Sequence, residues 1–323
     1  MSKKRLMIIG LMVSVVLLFV KFLAYFLTHS NAILTDAVES IVNVAAGSFA
    51  LFGIYYASKP ADEDHPYGHG KIEFFSSGFE GGMITIAGLG MMAKGVLAFF
   101  QKDVVHSLDL GIYLSVAAGG INYFVGFFIM KRGKAGHSEL MIASGKHLIS
   151  DAISSVGLVI GLTLVYFTNI IWIDYAVAVL FGGYITFSGF RILKESVFNL
   201  LDQADHDKIE HVIEILNKNR SGNWIDIHNL RILKYGSVLH VDCHVTLPWY
   251  NNLQKTHDEI DAIEKLVRKE SSHDIEFFIH ADPCLPISCA ICQVKNCPER
   301  KHEFVKKLTW GLDNVLPDRK HQL

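Results

Sequence analysis

Charge is scarce in this chain. Asp, Glu, Lys and Arg make up 19% of its 323 residues against 50% apolar, and the mean hydropathy is positive. A soluble domain of this length rarely shows that balance. Neither sign dominates: the formal net charge is −2, which gives no footing for nucleic acid as a partner. Cysteine is missing from the first 242 residues, and all five cysteines come after them. No His-Glu-x2-His motif occurs, which removes the pattern of an intramembrane metalloprotease. The first apolar run has no small-residue cleavage site and is too long for a signal-peptide core, so it reads as a retained helix.

What is present divides unevenly. Residues 1–200 hold 14 Lys/Arg and 13 Asp/Glu, and residues 201–323 hold 16 and 19. Six of the 16 histidines lie before residue 200 and ten after it. The chain therefore reads as an apolar membrane half followed by a polar, His/Cys-rich part. Six segments are long enough to cross a bilayer: about 6–27, 32–57, 72–100, 109–130, 139–167 and 172–192. The connections near 29, 105 and 169 carry little positive charge. The opposite ends carry Lys3, Lys4 and Arg5, then Lys59 and Lys71, then Lys131, Arg132 and Lys134, then Arg191 and Lys194. The positive-inside rule puts both termini in the cytoplasm. Lys21 and Lys94, near outer helix ends, are expected to snorkel.

Two polar pairs interrupt the apolar segments: Glu39 with Asn43, and His147 with Asp151. Each pair is spaced i, i+4, which puts both side chains on one helix face. Ionisable groups are costly in a bilayer and face a partner or a water-filled path. Facing one another, the four offer carboxylate, amide oxygen and imidazole, a donor set for a divalent metal. Asp36, one turn before Glu39, is a further candidate ligand. In the loop after the second segment, Asp62, His65 and His69 can close on one ion. Small residues recur at the same spacing, Gly78 with Gly82 and Gly157 with Gly161, and are expected to let helices approach closely.

Past residue 201 the periodicity changes. The order is α, β, β, α, β over residues 201–283, an open-faced α+β sandwich with a turn at Tyr235-Gly236-Ser237. His240, His244, His257, His280 and Asp282 form a third candidate metal set there. Cys284-x4-Cys289-x2-Cys292-x4-Cys297 follows. In a reducing cytosol four such cysteines suit tetrahedral Zn²⁺, or an iron–sulfur cluster. Cys243 sits in a strand and reads as packing. Residues 284–323 form a Cys-rich knuckle and tail, and 301–316 has the pattern of a short amphipathic helix.

The chain resembles the cation diffusion facilitator family, nearest its bacterial zinc/ferrous-iron efflux branch. The resemblance covers about 6–283 and rests on SNAILTDAVESIVN, KPADEDHPYGHGKIE, HLISDAISS and FFIHADPC. It implies a six-helix transmembrane domain at 1–200, a metallochaperone-like cytoplasmic domain at 201–283, and a homodimer in the inner (plasma) membrane. It implies a transport site of Glu39, Asn43, His147 and Asp151, and a loop site of Asp62, His65 and His69. It also implies a cytoplasmic binuclear site of His244, His257, His280 and Asp282, and a charge interlock of Lys71 with Asp202. The branch usually has Asp where Glu39 and Asn43 stand. The implied activity is export of a divalent metal, Zn²⁺ or Fe²⁺ with other transition-metal ions admissible, against protons as counter-substrate. The competing expectation is a membrane-anchored metal sensor or scaffold working through its Cys/His domain.

Overall fold

The computed structural model describes residues 2–28, 31–101, 109–168, 170 and 172–322. The chain forms two compact units, Met1–Leu201 and Asp202–Leu323. The first is built from α1 (Lys3–Thr28), α2 (Asn31–Ala57), α3 (Ile72–Gln101), α4 (Asp109–Ala135), α5 (Glu139–Thr168) and α6 (Trp172–Leu200). Among the described residues, stretches of 18 to 27 residues in every one of these except α4 are long and apolar enough to cross a bilayer. α4 is the least apolar of the six on average. It carries Gly119, Gly120 and Asn122, and ends in Lys131, Arg132 and Lys134.

Close backbone approach shapes two of the bundle's seams, beside side-chain clusters such as Leu6, Ile54, Ile129 and Leu140. α3 packs most extensively on α6, and α4 on α5. Along the α3–α6 seam, Gly81 and Gly88 meet Gly182 and Gly189. A Cβ on Gly88 would stand 2.5 Å from the Thr186 backbone nitrogen, and one on Gly182 would stand 2.8 Å from the Gly88 carbonyl oxygen. Backbones can come this close only without side chains, and in lipid such contact replaces the hydrophobic effect as the source of association. Gly126 and Gly145 repeat the device between α4 and α5, where a Cβ on either would lie 2.7 Å from the other's carbonyl oxygen. The spacing of Gly78 with Gly82 does not mark this contact. The tighter seam runs at seven-residue intervals instead, and nothing lies within 4 Å of a Cβ on Gly82.

The second unit contains α7 (His206–Lys218), β1 (Asp226–Tyr235), β2 (Val238–Leu247), α8 (Leu253–Glu270) and β3 (Asp274–Pro283). The sheet order is β1-β2-β3, with β1–β2 antiparallel and β2–β3 parallel. Asp205 caps α7, accepting from the Lys208 amide at 3.2 Å. Gly236, at φ 64°, takes the left-handed position in the β1–β2 turn. Leu239, Val241, Cys243, Val245 and Leu247 alternate inward against Ile209, Val212, Ile263 and Val267 of the two helices. Burial pushes the Cys243 thiol up to about 12, as befits a packing residue. The other sheet face carries the polar side chains.

One irregularity in β1 matters. The register shifts between His228 and Arg231, with Asn229 at φ 53° and its N–H donating to the Pro317 carbonyl at 3.0 Å. Counted back from the Tyr235–Val238 pair, an unbroken hairpin would set His228 opposite Val245. The bulge sets it opposite His244 instead.

The expected helix over 301–316 is corrected. Only α9 (Leu312–Val315) is helical. The preceding chain runs along α7, where the Arg220 guanidinium lies 3.7 Å from the Trp310 ring centroid and Asn217 donates to the Trp310 carbonyl at 2.8 Å. Those contacts hold the segment by its backbone, which a helix would have withdrawn.

Gly88→Ala should cost about 1–3 kcal/mol or more through backbone overlap, while Gly82→Ala should be neutral. Thermal unfolding of the detergent-solubilised pair of variants checks this; equal melting temperatures would contradict the seam.

Candidate metal sites

Within the helical unit, Asn43 on α2 bridges two residues of α5. Its amide NH₂ donates to Asp151 Oδ2 at 2.7 Å, and its Oδ1 accepts from His147 Nε2 at 3.2 Å. His147 is buried. α2 is continuous through Asp36, Glu39 and Asn43, but the side chains of Asp36 and Glu39 lie outside the described residues. A cavity of about 30 Å³ adjoins the bridge, lined by Asn43, Ser144, His147 and Glu80 among others. That is room for a small ion or a water or two. Glu80 of α3 is a site residue that sequence reasoning missed. Its carboxylate is buried, accepts from the Ser144 hydroxyl at 2.6 Å through Oε1, and has no hydrogen-bond partner at Oε2 among the described residues. Helical period gives only a faint pointer to it: Ser76 and Ser77 lie one turn before it, but its hydrogen-bond partner Ser144 is on another helix.

In the loop before α3, Asp62 gathers both histidines. Its Oδ1 is 3.0 Å from His65 Nδ1 and its Oδ2 is 3.3 Å from His69 Nε2. The His65 backbone amide also donates to Asp62 Oδ1 at 2.8 Å. The side-chain bond from His65 is the main influence holding the Asp62 carboxyl below its ordinary range. His69 is buried edge-on against Tyr56, 4.7 Å between centroids, so the loop is anchored to the end of α2. Lys71 closes this loop; Asp202 opens the second unit with φ 55°.

On the open sheet face, His228, His244 and His280 stand abreast on the three strands. Asp282 reaches all three: His228 Nε2 at 3.2 Å, His280 Nδ1 at 3.1 Å and His244 Nδ1 at 3.7 Å. His228 was missed by sequence reasoning because only the bulge aligns it with His244. Burial holds its imidazole below the ordinary value, which favours the neutral ligand form, and its Nδ1 finds no hydrogen-bond partner among the described residues. This donor set fits a divalent ion. His257 does not join it: it is exposed on α8, 3.9 Å from Asp261 one turn on. His240 is buried at the far end of β2 beside Glu276 and Tyr235. The C-terminal tail closes over the site. Lys320 Nζ lies 3.5 Å from Asp282 and donates to the Pro283 carbonyl at 2.7 Å, and His321 pairs with buried Asp226 at 2.5 Å. Among the described residues, two groups bring three ligand atoms within 4.8 Å of one another: Asp62–His65–His69 and His228–His244–Asp282.

Residues 7–201 match the cation efflux transmembrane domain, and residues 204–284 match the cytoplasmic domain of cation efflux proteins. The chain belongs to the cation diffusion facilitator family. Similar proteins include an uncharacterized transporter of Synechocystis, 32% identical over 76% of this chain and 79% of the relative. The manganese efflux system protein MneS of Bacillus subtilis is 28% identical over 82% and 90%. The cation-efflux pump FieF of Pectobacterium carotovorum is 28% identical over 84% and 89%. This facilitator is thus a multi-pass membrane protein that exports divalent metal cations, and not an enzyme.

The facilitator's four knuckle cysteines fall at and beyond the end of the matched region. All are free thiols. Cys284 and Cys292 are each pushed up, first by burial and then by the neighbouring thiols: Cys289 and Cys297 act on Cys284, and Cys297 and Cys284 on Cys292. Cys284 packs against the cluster that holds Cys292, and Arg300 donates to the carbonyls of both Cys289 and Cys292, although no three of the four sulfurs come within 4.8 Å of one another.

In metal titrations of the solubilised facilitator, His228→Ala should weaken the sheet-face site by more than the roughly 10–100-fold that losing an outer partner costs. His257→Ala should leave that affinity unchanged. The reverse order would place the site elsewhere.

Proposed function

We propose that this facilitator exports Zn²⁺ or Fe²⁺ in exchange for protons, by alternating access about Glu39, Asn43, His147 and Asp151. The observation that carries this is the hydrogen-bonded chain Asp151–Asn43–His147 across two membrane helices. An incoming ion takes the imidazole nitrogen, the amide oxygen and the carboxylate in place of the hydrogen bonds and proton that those groups otherwise hold. Ligands must be deprotonated to bind metal, so protons arriving from the outer side release it. Glu80, on the wall of the same cavity, is assigned a proton-exchanging role: ionised, it adds negative charge beside a divalent ion, and protonated, it withdraws that charge.

The basic helix ends orient both termini to the cytoplasm, which sets the loop and sheet-face sites on the side where metal is loaded. There they sense cytoplasmic metal, and the cytoplasmic domains pair in a homodimer, with Lys71 and Asp202 as a charge interlock. The manganese named for one relative brings Mn²⁺, with Co²⁺, Ni²⁺ and Cd²⁺, into the competition panel.

In proteoliposomes of the purified protein, an imposed proton gradient should drive metal flux, and His147→Ala should abolish it. Glu80→Gln should slow flux and flatten its pH dependence; an unchanged pH profile would remove Glu80 from the mechanism. Absence of flux through the wild-type protein would leave the membrane-anchored sensor as the better reading.

A further inference from the structure

We propose that Cys284, Cys289, Cys292 and Cys297 hold a resident Zn²⁺ ion, distinct from the transported ion and from the sheet-face site. The donor set consists of sulfur alone. Four thiolates suit a tetrahedral ion that needs no open position, the pattern of a structural zinc site. The transport reading uses none of these residues.

The surrounding chain is folded as such a site requires. Pro286–Ala290 is a single 3-10 turn, and from there to Gly311 the chain has no helix or strand. Its own apolar core is small: Ile225, Ile291 and Cys292, with Cys284, Val294 and Leu308 partly buried against them. So little apolar area holds a segment poorly without a staple. Arg300 shapes the loop between the cysteines. Its guanidinium donates to the carbonyls of Cys289 at 3.2 Å, Cys292 at 3.3 Å and Val294 at 2.8 Å. That leaves a fixed cation next to sulfurs that would carry negative charge. Two further donors already aim at sulfur: the Lys301 amide at Cys289 Sγ, 3.5 Å, and the Tyr250 hydroxyl at Cys297 Sγ, 3.7 Å. Both stabilise thiolate rather than thiol.

An ion bound by four thiolates at about 2.3 Å spaces the sulfurs about 3.8 Å apart, so binding draws the present cluster inward. Cys284 is the fixed member. Its amide donates to the Leu247 carbonyl at 2.9 Å, at the end of β2 beside β3. The ion therefore ties the end of the strand bearing His280 and Asp282 to the segment that leads into the tail.

The test uses full-length protein purified in detergent under reducing, anaerobic conditions and washed with a mild chelator. Elemental analysis should find one Zn²⁺ per chain, and zinc X-ray absorption should show four sulfur neighbours at about 2.3 Å. The Cys289→Ser/Cys292→Ser variant should lose that ion, and the His244→Ala/Asp282→Ala variant should keep it. Equal zinc in the wild type and the cysteine variant overturns the proposal, as does iron with acid-labile sulfide. Since the cysteine variant can misfold, the wild type is also reloaded with Co²⁺. Sulfur-to-cobalt charge transfer with tetrahedral d–d bands supports the site, and octahedral cobalt alone overturns it. Transport is not read in any arm, so the outcome is independent of the proposed antiport.

Discussion

The amide of Asn43 satisfies a carboxylate and an imidazole at once, from a neighbouring helix, within stretches apolar and long enough to cross a bilayer. An unpaired ionisable group inside a bilayer costs several kcal/mol, so the bridge fixes how α2 and α5 face one another. The rest of the bundle serves that requirement. Glycine seams let α3 lie against α6 and α4 against α5. The same packing brings Glu80 of α3 to the Ser144 hydroxyl and to the edge of the cavity beside His147. A bundle with wider helix spacing would leave these polar groups out of reach of one another.

The facing of His147 and Asp151 was legible because side chains four residues apart share a helix face, whatever the tertiary fold. Asp62, His65 and His69 were legible because eight residues of loop cannot carry them far apart. The order of elements in the second unit was equally readable from its alternation and its turn. Glu80 was not, since its partner Ser144 is on another helix and only packing supplies the connection. His228 was not, since period two and an unbroken register pair it with inward-facing Val245; one inserted residue turns it to the other face, opposite His244. The tail misled for the opposite reason. Val305, Leu308 and Leu312 mimic helical spacing, yet Trp310 and its backbone are held by Arg220 and Asn217.

The candidate metal-binding groups change character along the chain. The membrane set is one imidazole with oxygen donors, the loop and sheet-face sets pair imidazoles with a carboxylate, and the knuckle is sulfur alone. Oxygen and nitrogen donors tolerate several first-row ions, whereas thiolates narrow the choice and hold it harder. That gradient suits cargo that must leave again at one end and a fixed ion at the other.

Lys320 rests its ammonium on the carboxylate that collects three histidines. Any cation that reaches Asp282 must share that oxygen with the ammonium or dislodge it. The tail is thus a tethered competitor, present at a constant local concentration that dilution cannot lower. Its hold subtracts from the affinity of every ion that binds there and sets a threshold below which the sheet face stays with its own cation. By reciprocity, an ion that occupies the site loosens the chain's last residues by the same free energy.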